Sequence, residues 1–182
     1  MTDINNIKID LNMAEDFLHQ LDQDAEQFCF QLFGEKNKSL PARLLYGSLS
    51  EHSDELVAYN QQGGGVFVTI NETDGMGRKA ENIVAVRACF VDLDGAPLNS
   101  LSEAPCAPDI VVNSSSGRYH AYWLVKNIRL EDFRSVQKKL ASACNGDPSV
   151  CDLPRVMRLP GFFHNKRNPQ LVTILRGSHA IH

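Results

Sequence analysis

Apolar and polar positions alternate along this chain with two different periods. Between Asn12 and Phe33 the residues Phe17, Leu18, Leu21, Ala25, Phe28 and Leu32 recur at helical spacing, which predicts one amphipathic helix over 12–33. Asn12 with Glu15 three residues on resembles a capping box, and Gly34 is a natural stop. ARLLYGSL, residues 42–49, reads as a short strand. A short helix through Leu56, Val57 and Tyr59 follows, capped by Ser50 or Ser53 and ended by Gly63-Gly64-Gly65. From there the period shortens. VFVTIN (66–71), IVAVRACFVDLD (83–94), DIVVNSS (109–115) and YHAYWLV (119–125) are rich in β-branched and aromatic residues and read as strands. Gly117 turns the last two into a hairpin. Leu130, Phe133, Val136 and Leu140 return to helical spacing over 129–144, and LVTIL is a final strand. Strands outnumber helices and several follow one another directly. The pattern predicts an α+β fold: helices packed on one face of a largely antiparallel sheet, the other face left open for a site.

Composition narrows this picture. The chain has 182 residues, 43% of them hydrophobic and 22% charged, which suits one folded domain. No apolar run approaches the ~18–20 residues of a membrane span. The polar, acidic start MTDINNIKIDLNMAEDF does not resemble an export signal, so the expectation is a cytoplasmic protein. Five cysteines, with no C-x-x-C pair, read as reduced and mostly buried thiols. A zinc site from Cys144, Cys151 and His164 is the alternative, and it lacks a fourth ligand. The net charge of −4 argues against coating nucleic acid non-specifically, but leaves room for a local basic patch.

Three stretches carry candidate chemistry. In RACFVDLDG the pleat turns Val91 and Leu93 one way and Asp92 and Asp94 the other. Two carboxylates on one strand face, roughly 6–7 Å apart at Cα, suit one or two divalent cations. In NSSSGRYHAYW a tight corner precedes His120, a side chain whose protonation is tunable near neutral pH. In GDPSVCDLPRVMRLPGFFHNKR, Asp147 and Asp152 precede Arg155, Arg158, Lys166 and Arg167, four cations within 13 residues. Guanidinium groups bind phosphate oxygens in bidentate fashion. Three carboxylates, a histidine and a basic cluster together point to metal-assisted phosphoryl chemistry on a triphosphate. The glycine triplet lacks a following Gly-Lys-Ser/Thr and is no phosphate loop.

Taken in this order and spacing, FVDLDG, SSSGRYHAYW and GDPSVCDLPRVMRLPGFFHNK resemble the catalytic core of the archaeo-eukaryotic primase superfamily, above all the primases and primase-polymerases of phages and plasmids such as the RepB-like primases. The resemblance spans about 66–176, with 1–65 as an N-terminal helix-strand-helix part of one domain. It implies an RRM-like antiparallel catalytic sheet, two Mg²⁺ or Mn²⁺ ions, nucleoside triphosphate substrates and a single-stranded DNA template. It makes Asp92 and Asp94 metal ligands and His120 a contact to the nucleotide phosphates. Ser116, Gly117 and Arg118 would line the same pocket. Asp147, eight residues before Arg155 and eleven before Arg158, would be the third metal ligand, with Asp152 as the alternative. Arg155, Arg158 and Lys166 would bind the triphosphate, and Asn71 and Arg78 would touch template or nucleotide. Many relatives carry a further helical priming domain or a helicase. Because this chain stops soon after the last strand, the expectation is a domain of a larger replication protein or one that relies on a partner.

Two rival readings follow from the same residues. Haloacid-dehalogenase-like phosphatases also end a strand in Asp-x-Asp, but theirs continues Gly-Thr. Only 88 residues follow Asp94 here, beginning with a hairpin rather than a crossover helix. A non-catalytic single-stranded nucleic-acid reader on an RRM-like sheet would place aromatics, not Asp92 and Asp94, on its central strand.

Overall fold

In the computed structural model, which describes residues 8–177, the strands divide into two four-stranded antiparallel sheets. The first has the order β2-β1-β3-β9, built from Arg43–Gly47, Phe28–Gly34, Gly64–Thr69 and Val156–Arg158. The second has the order β12-β7-β8-β6, built from Thr173–Gly177, Ile110–Ser115, Arg118–Leu124 and Ala88–Asp94. Two small ribbons complete the set, β4 (Glu72–Thr73) with β5 (Ile83–Ala85) and β10 (Phe163–His164) with β11 (Gln170–Leu171). Three α-helices pack on them: α1 (Leu11–Leu21), α2 (Leu49–Gln61) and α3 (Leu130–Ala143). The α+β class and the antiparallel pairing agree with the sequence pattern. The division into two sheets gives the site a cleft between sheets instead of one open face.

The expected helix over 12–33 ends at Leu21, and its second half is strand β1. Phe28 and Leu32 fit a helical period, but with Phe30 they also alternate. In FCFQLFG the first five residues are buried, because β1 lies between β2 and β3. Aromatic residues covered on both faces favour the pleat. The cap also differs: the Asp10 carboxylate accepts the Met13 N–H at 3.0 Å. For α2 the cap is Ser48, in a capping box with Glu51. The strand read over 83–94 breaks at Val86 and Arg87. There the Arg87 N–H donates to Asn71 Oδ1 at 3.1 Å instead of continuing a ladder.

The larger core fills the space between the sheets. Phe30, Leu32, Val66 and Val68 come from one side, Phe90, Ile110, Val112 and Tyr122 from the other, and α1 inserts Phe17 against Tyr122 with ring centroids 5.4 Å apart. Each such side chain contributes about 1.5–3 kcal/mol on burial. A smaller cluster of Val91, Leu93, Val111, Ala121 and Trp123 lies on the opposite face of the second sheet. Both faces of β6 are therefore covered over its first half, and part of its edge is occupied as well. Gln137 of α3 accepts the Phe90 N–H at 3.1 Å and donates to the Phe90 carbonyl, while the Asp147 N–H donates to the Asp92 carbonyl at 3.1 Å.

Candidate active site

The site lies where the intersheet core opens, at the end of β6. Antiparallel register sets Asp92 opposite His120 and Asp94 opposite Arg118. Arg118 Nε donates to Asp94 Oδ1 at 2.6 Å, and both side chains are about half exposed. His120 is buried, with Nε2 at 4.0 Å from Asp92 Oδ1. This approach is no ion pair: burial, then the positive charges of Arg158 and His164, lower the His120 pKa to about 3. The imidazole is neutral at pH 7. Tyr122, fully buried, has its hydroxyl 3.3 Å from His120 Nδ1. Burial and the Asp92 charge push that phenol well above its ordinary range, so it keeps its proton. The Tyr122 hydroxyl and Nδ1 share this hydrogen bond, which fixes the ring with Nε2 facing Asp92.

Burial, then the charges of Asp94 and Asp147, raise the Asp92 pKa to about 6, with Arg155 and Arg118 pulling the other way. Asp147 belongs to this group because its backbone is bonded to the edge of β6 at Asp92. Its carboxylate accepts the Ser149 N–H at 2.8 Å, and hydrogen bonding from the Ser149 side chain, then from this N–H, lowers its pKa. Asp152 instead pairs with Arg155. Among the described residues no three His, Cys, Asp or Glu side chains form a ready-made metal cluster. Asp94 is held by Arg118 and Asp147 by Ser149. The zinc alternative also lacks such a cluster, and His164 Nδ1 donates to the Ser114 carbonyl at 3.2 Å. Asp92, Asp94 and Asp147 are nonetheless a donor set suited to a hard divalent cation, since oxygen ligands that repel one another gain most from one.

Across the cleft, of about 290 Å³, stand the cations. Arg155, Arg158 and Lys166 line it together with His164, Phe67, Ser114 and Ser115. Arg158 lies over the Phe67 ring, 4.8 Å from its centroid. Arg155 donates to the Ser149 carbonyl at 3.1 Å and keeps its Nε buried without a partner. Acids from the second sheet thus face cations from the first sheet and from the segment that follows it.

Four of the expected residues lie outside the cleft lining. Asn71 is fully buried and uses both ends of its amide internally, donating to the Leu153 carbonyl at 3.0 Å and accepting from Arg87. These bonds brace the loops around it and leave its side chain no exposed surface. Arg78 donates to Gln31 Oε1 at 2.7 Å and to the Pro154 carbonyl at 3.1 Å, outside the cleft lining. Ser116 and Gly117 form the exposed hairpin turn, where Gly117 has φ +69° and the Ser116 N–H goes to Gln170 at 2.8 Å. Ser114 and Ser115, one register earlier, line the cleft in their place. Glu35, whose carboxylate accepts from Arg158, was not legible as a support of the site, nor were Phe67 and Tyr122 as its neighbours. Glu35 sits in a polar stretch far upstream, and Phe67 and Tyr122 look like ordinary strand residues.

Residues 35–176 match the family described as the RepB DNA-primase N-terminal domain, and the chain belongs to that family. Its fold is that of the archaeo-eukaryotic primase-polymerase catalytic domain. The chain is similar to the AEP domain of the cyanophage S-2L primase-polymerase, with 17% identity, a TM-score of 0.78, and coverage of 95% of this chain and 93% of that one. It is similar to the primase RepB′, with 21% identity and a TM-score of 0.71, over 94% of this chain and 57% of RepB′. The catalytic domain of RepB′, solved with initiator DNA, matches at 22% identity and a TM-score of 0.71, over 94% and 86% of the two chains. No curated protein matches this chain.

Proposed function

We propose that this domain catalyses template-directed nucleotidyl transfer, making or extending primers on single-stranded DNA in the replication of a phage, plasmid or other mobile element. The observation that carries the reading is the opposition of Asp92 and Asp94 on β6 to Arg155, Arg158 and Lys166 across one cleft. Asp92, Asp94 and Asp147 would hold Mg²⁺ or Mn²⁺, which when bound supplies Lewis acidity to the attacking 3′-hydroxyl and to the leaving pyrophosphate. Arg158, Lys166 and Arg155 bind the triphosphate oxygens of the incoming nucleotide. His120 donates its Nε2 proton to a phosphate oxygen and, being neutral, leaves the charge balance to the cations. The fixed donors cost no reorganisation as charge develops. A helical priming domain or helicase, in cis or in trans, is part of the same reading.

The test is a templated incorporation assay on single-stranded DNA with Mg²⁺ or Mn²⁺, with and without a 3′-hydroxyl primer. Asp92→Ala and Asp94→Ala reduce incorporation by at least ~10³-fold, several kcal/mol on the barrier. Asp147→Ala does the same, and Asp152→Ala far less. Product without primer makes the domain a primase. Undiminished activity in Asp92→Ala would sink the assignment.

The hold of Arg118 on Asp94 and of Ser149 on Asp147 favours a second reading, a single-stranded nucleic-acid binding module without catalysis. That reading requires metal-independent binding and no product from the wild type.

A further inference from the structure

Arg158 does not enter the cleft as a free side chain. Its Nη2 donates to Glu35 Oε1 at 2.5 Å, and the two side chains are only 9% and 3% exposed. The Phe67 ring supports the other face of the guanidinium. The second Glu35 oxygen, Oε2, accepts the Asn165 N–H at 2.8 Å, and Asn165 directly precedes Lys166. The Asn165 amide in turn donates to the Asn60 and Gly64 carbonyls, both at 2.9 Å. Gly65 makes room for the carboxylate, since a Cβ there would meet Glu35 Cδ at 2.7 Å. One buried carboxylate from the end of β1 therefore ties the strand that carries Arg158 to the segment that carries Lys166.

A pair this deeply buried is a poor way to stabilise a fold. Desolvation of both charges offsets most of their attraction, and apolar residues of similar volume often do as well or better. What the pair supplies is geometry, because a bonded guanidinium loses little further freedom when a ligand arrives. Burial raises the Glu35 pKa, but the hydrogen bond and charge of Arg158 and the Asn165 N–H more than offset it, and the carboxylate stays ionised.

We propose that Glu35 is a positioning residue for nucleotide binding, holding Arg158 and Lys166 at a set separation so that a triphosphate meets a preformed pair of cations. This rests on the reading that Arg158 and Lys166 bind the triphosphate.

The test uses the full chain and measures affinity for a non-hydrolysable nucleoside triphosphate and for the corresponding monophosphate, beside steady-state incorporation. Glu35→Gln weakens triphosphate affinity about tenfold and leaves monophosphate affinity unchanged. KM for the nucleotide rises by more than kcat falls. Adding Glu35→Gln to Arg158→Ala costs less than it does in the wild type, because only its hold on the Lys166 segment is left to lose. Glu35→Asp, which keeps the charge but retracts it by one methylene, shows the same selective loss in a protein whose melting confirms that it is folded. Wild-type triphosphate affinity in a folded Glu35 variant, or additive losses in the double variant, would overturn the proposal. Should Arg158→Ala also bind triphosphate normally, the reading of the cleft falls with it. Weakening by Arg158→Ala alone would remove only the role of Glu35.

Discussion

Asp92→Asn should make the metal-free protein more stable while abolishing its activity. Asp92 has its pKa raised from the ordinary 3.8 to about 6 by burial and by the Asp94 and Asp147 charges. A raised folded-state pKa means that the folded protein binds this proton more tightly than the unfolded chain. The resulting stability is fully present below the unfolded pKa and is lost as pH rises through the folded one. Two units correspond to roughly 3 kcal/mol above pH 7, at 1.36 kcal/mol per unit, and about 1 kcal/mol at pH 4.5. Asparagine keeps the shape and cannot ionise, so it escapes this penalty. Denaturant unfolding in EDTA at pH 8 is expected to give Asp92→Asn an advantage of about 3 kcal/mol, or roughly 6–12 °C in Tm for a domain of this size. The advantage falls to a third by pH 4.5. Millimolar Mn²⁺ then narrows the gap, because only the wild type gains from binding. A variant no more stable than wild type at pH 8, or an advantage independent of pH, would refute the electrostatic account of this carboxylate.

Arg118→Ala should tighten Mn²⁺ binding in a calorimetric titration of the nucleotide-free protein. The half-exposed ion pair with Asp94 is worth at most about 1 kcal/mol, so the gain is at most about fivefold, and weaker binding would show that Arg118 does not compete for Asp94. Gln137→Leu should lower unfolding stability by about 3 kcal/mol, because it strands the N–H and carbonyl of Phe90 and the carbonyl of Val150 in the interior. A loss below about 0.5 kcal/mol in denaturant unfolding would mean that those groups find other partners.

The parts of the site that lie on one continuous run of chain were readable from sequence. Alternation set Asp92 and Asp94 on one face of β6, and the hairpin at Gly117 brought His120 back opposite them. What stayed hidden depends on contacts between distant segments. Glu35 lies 123 residues from Arg158, in a stretch whose composition reads only as a polar loop. Asn71 is polar and follows a strand, which suggests a surface contact, but its neighbours bury it completely. In the helix-to-strand misreading at Phe28–Gly34, spacing alone could not decide, because Phe28 and Leu32 satisfy both periods. Only the strands on either side settle it. Spacing to Arg155 and Arg158 already favoured Asp147 over Asp152, but the backbone bond that fastens Asp147 to Asp92 is one that no spacing rule encodes.

The closure of β6 by Gln137 and Asp147 bears on how the protein behaves in a crowd of its own copies. β6 is the outermost strand of its sheet, and such a strand normally invites another chain to add to it. Here a side-chain amide takes both edge groups of Phe90 and one loop N–H takes the Asp92 carbonyl, three of the groups that an incoming strand would seek. The acid-bearing strand can thus stand at the border of the molecule, near its substrates, without becoming a seed for intermolecular sheet. Loosening α3 would remove that guard, and self-association through β6 would then compete with folding.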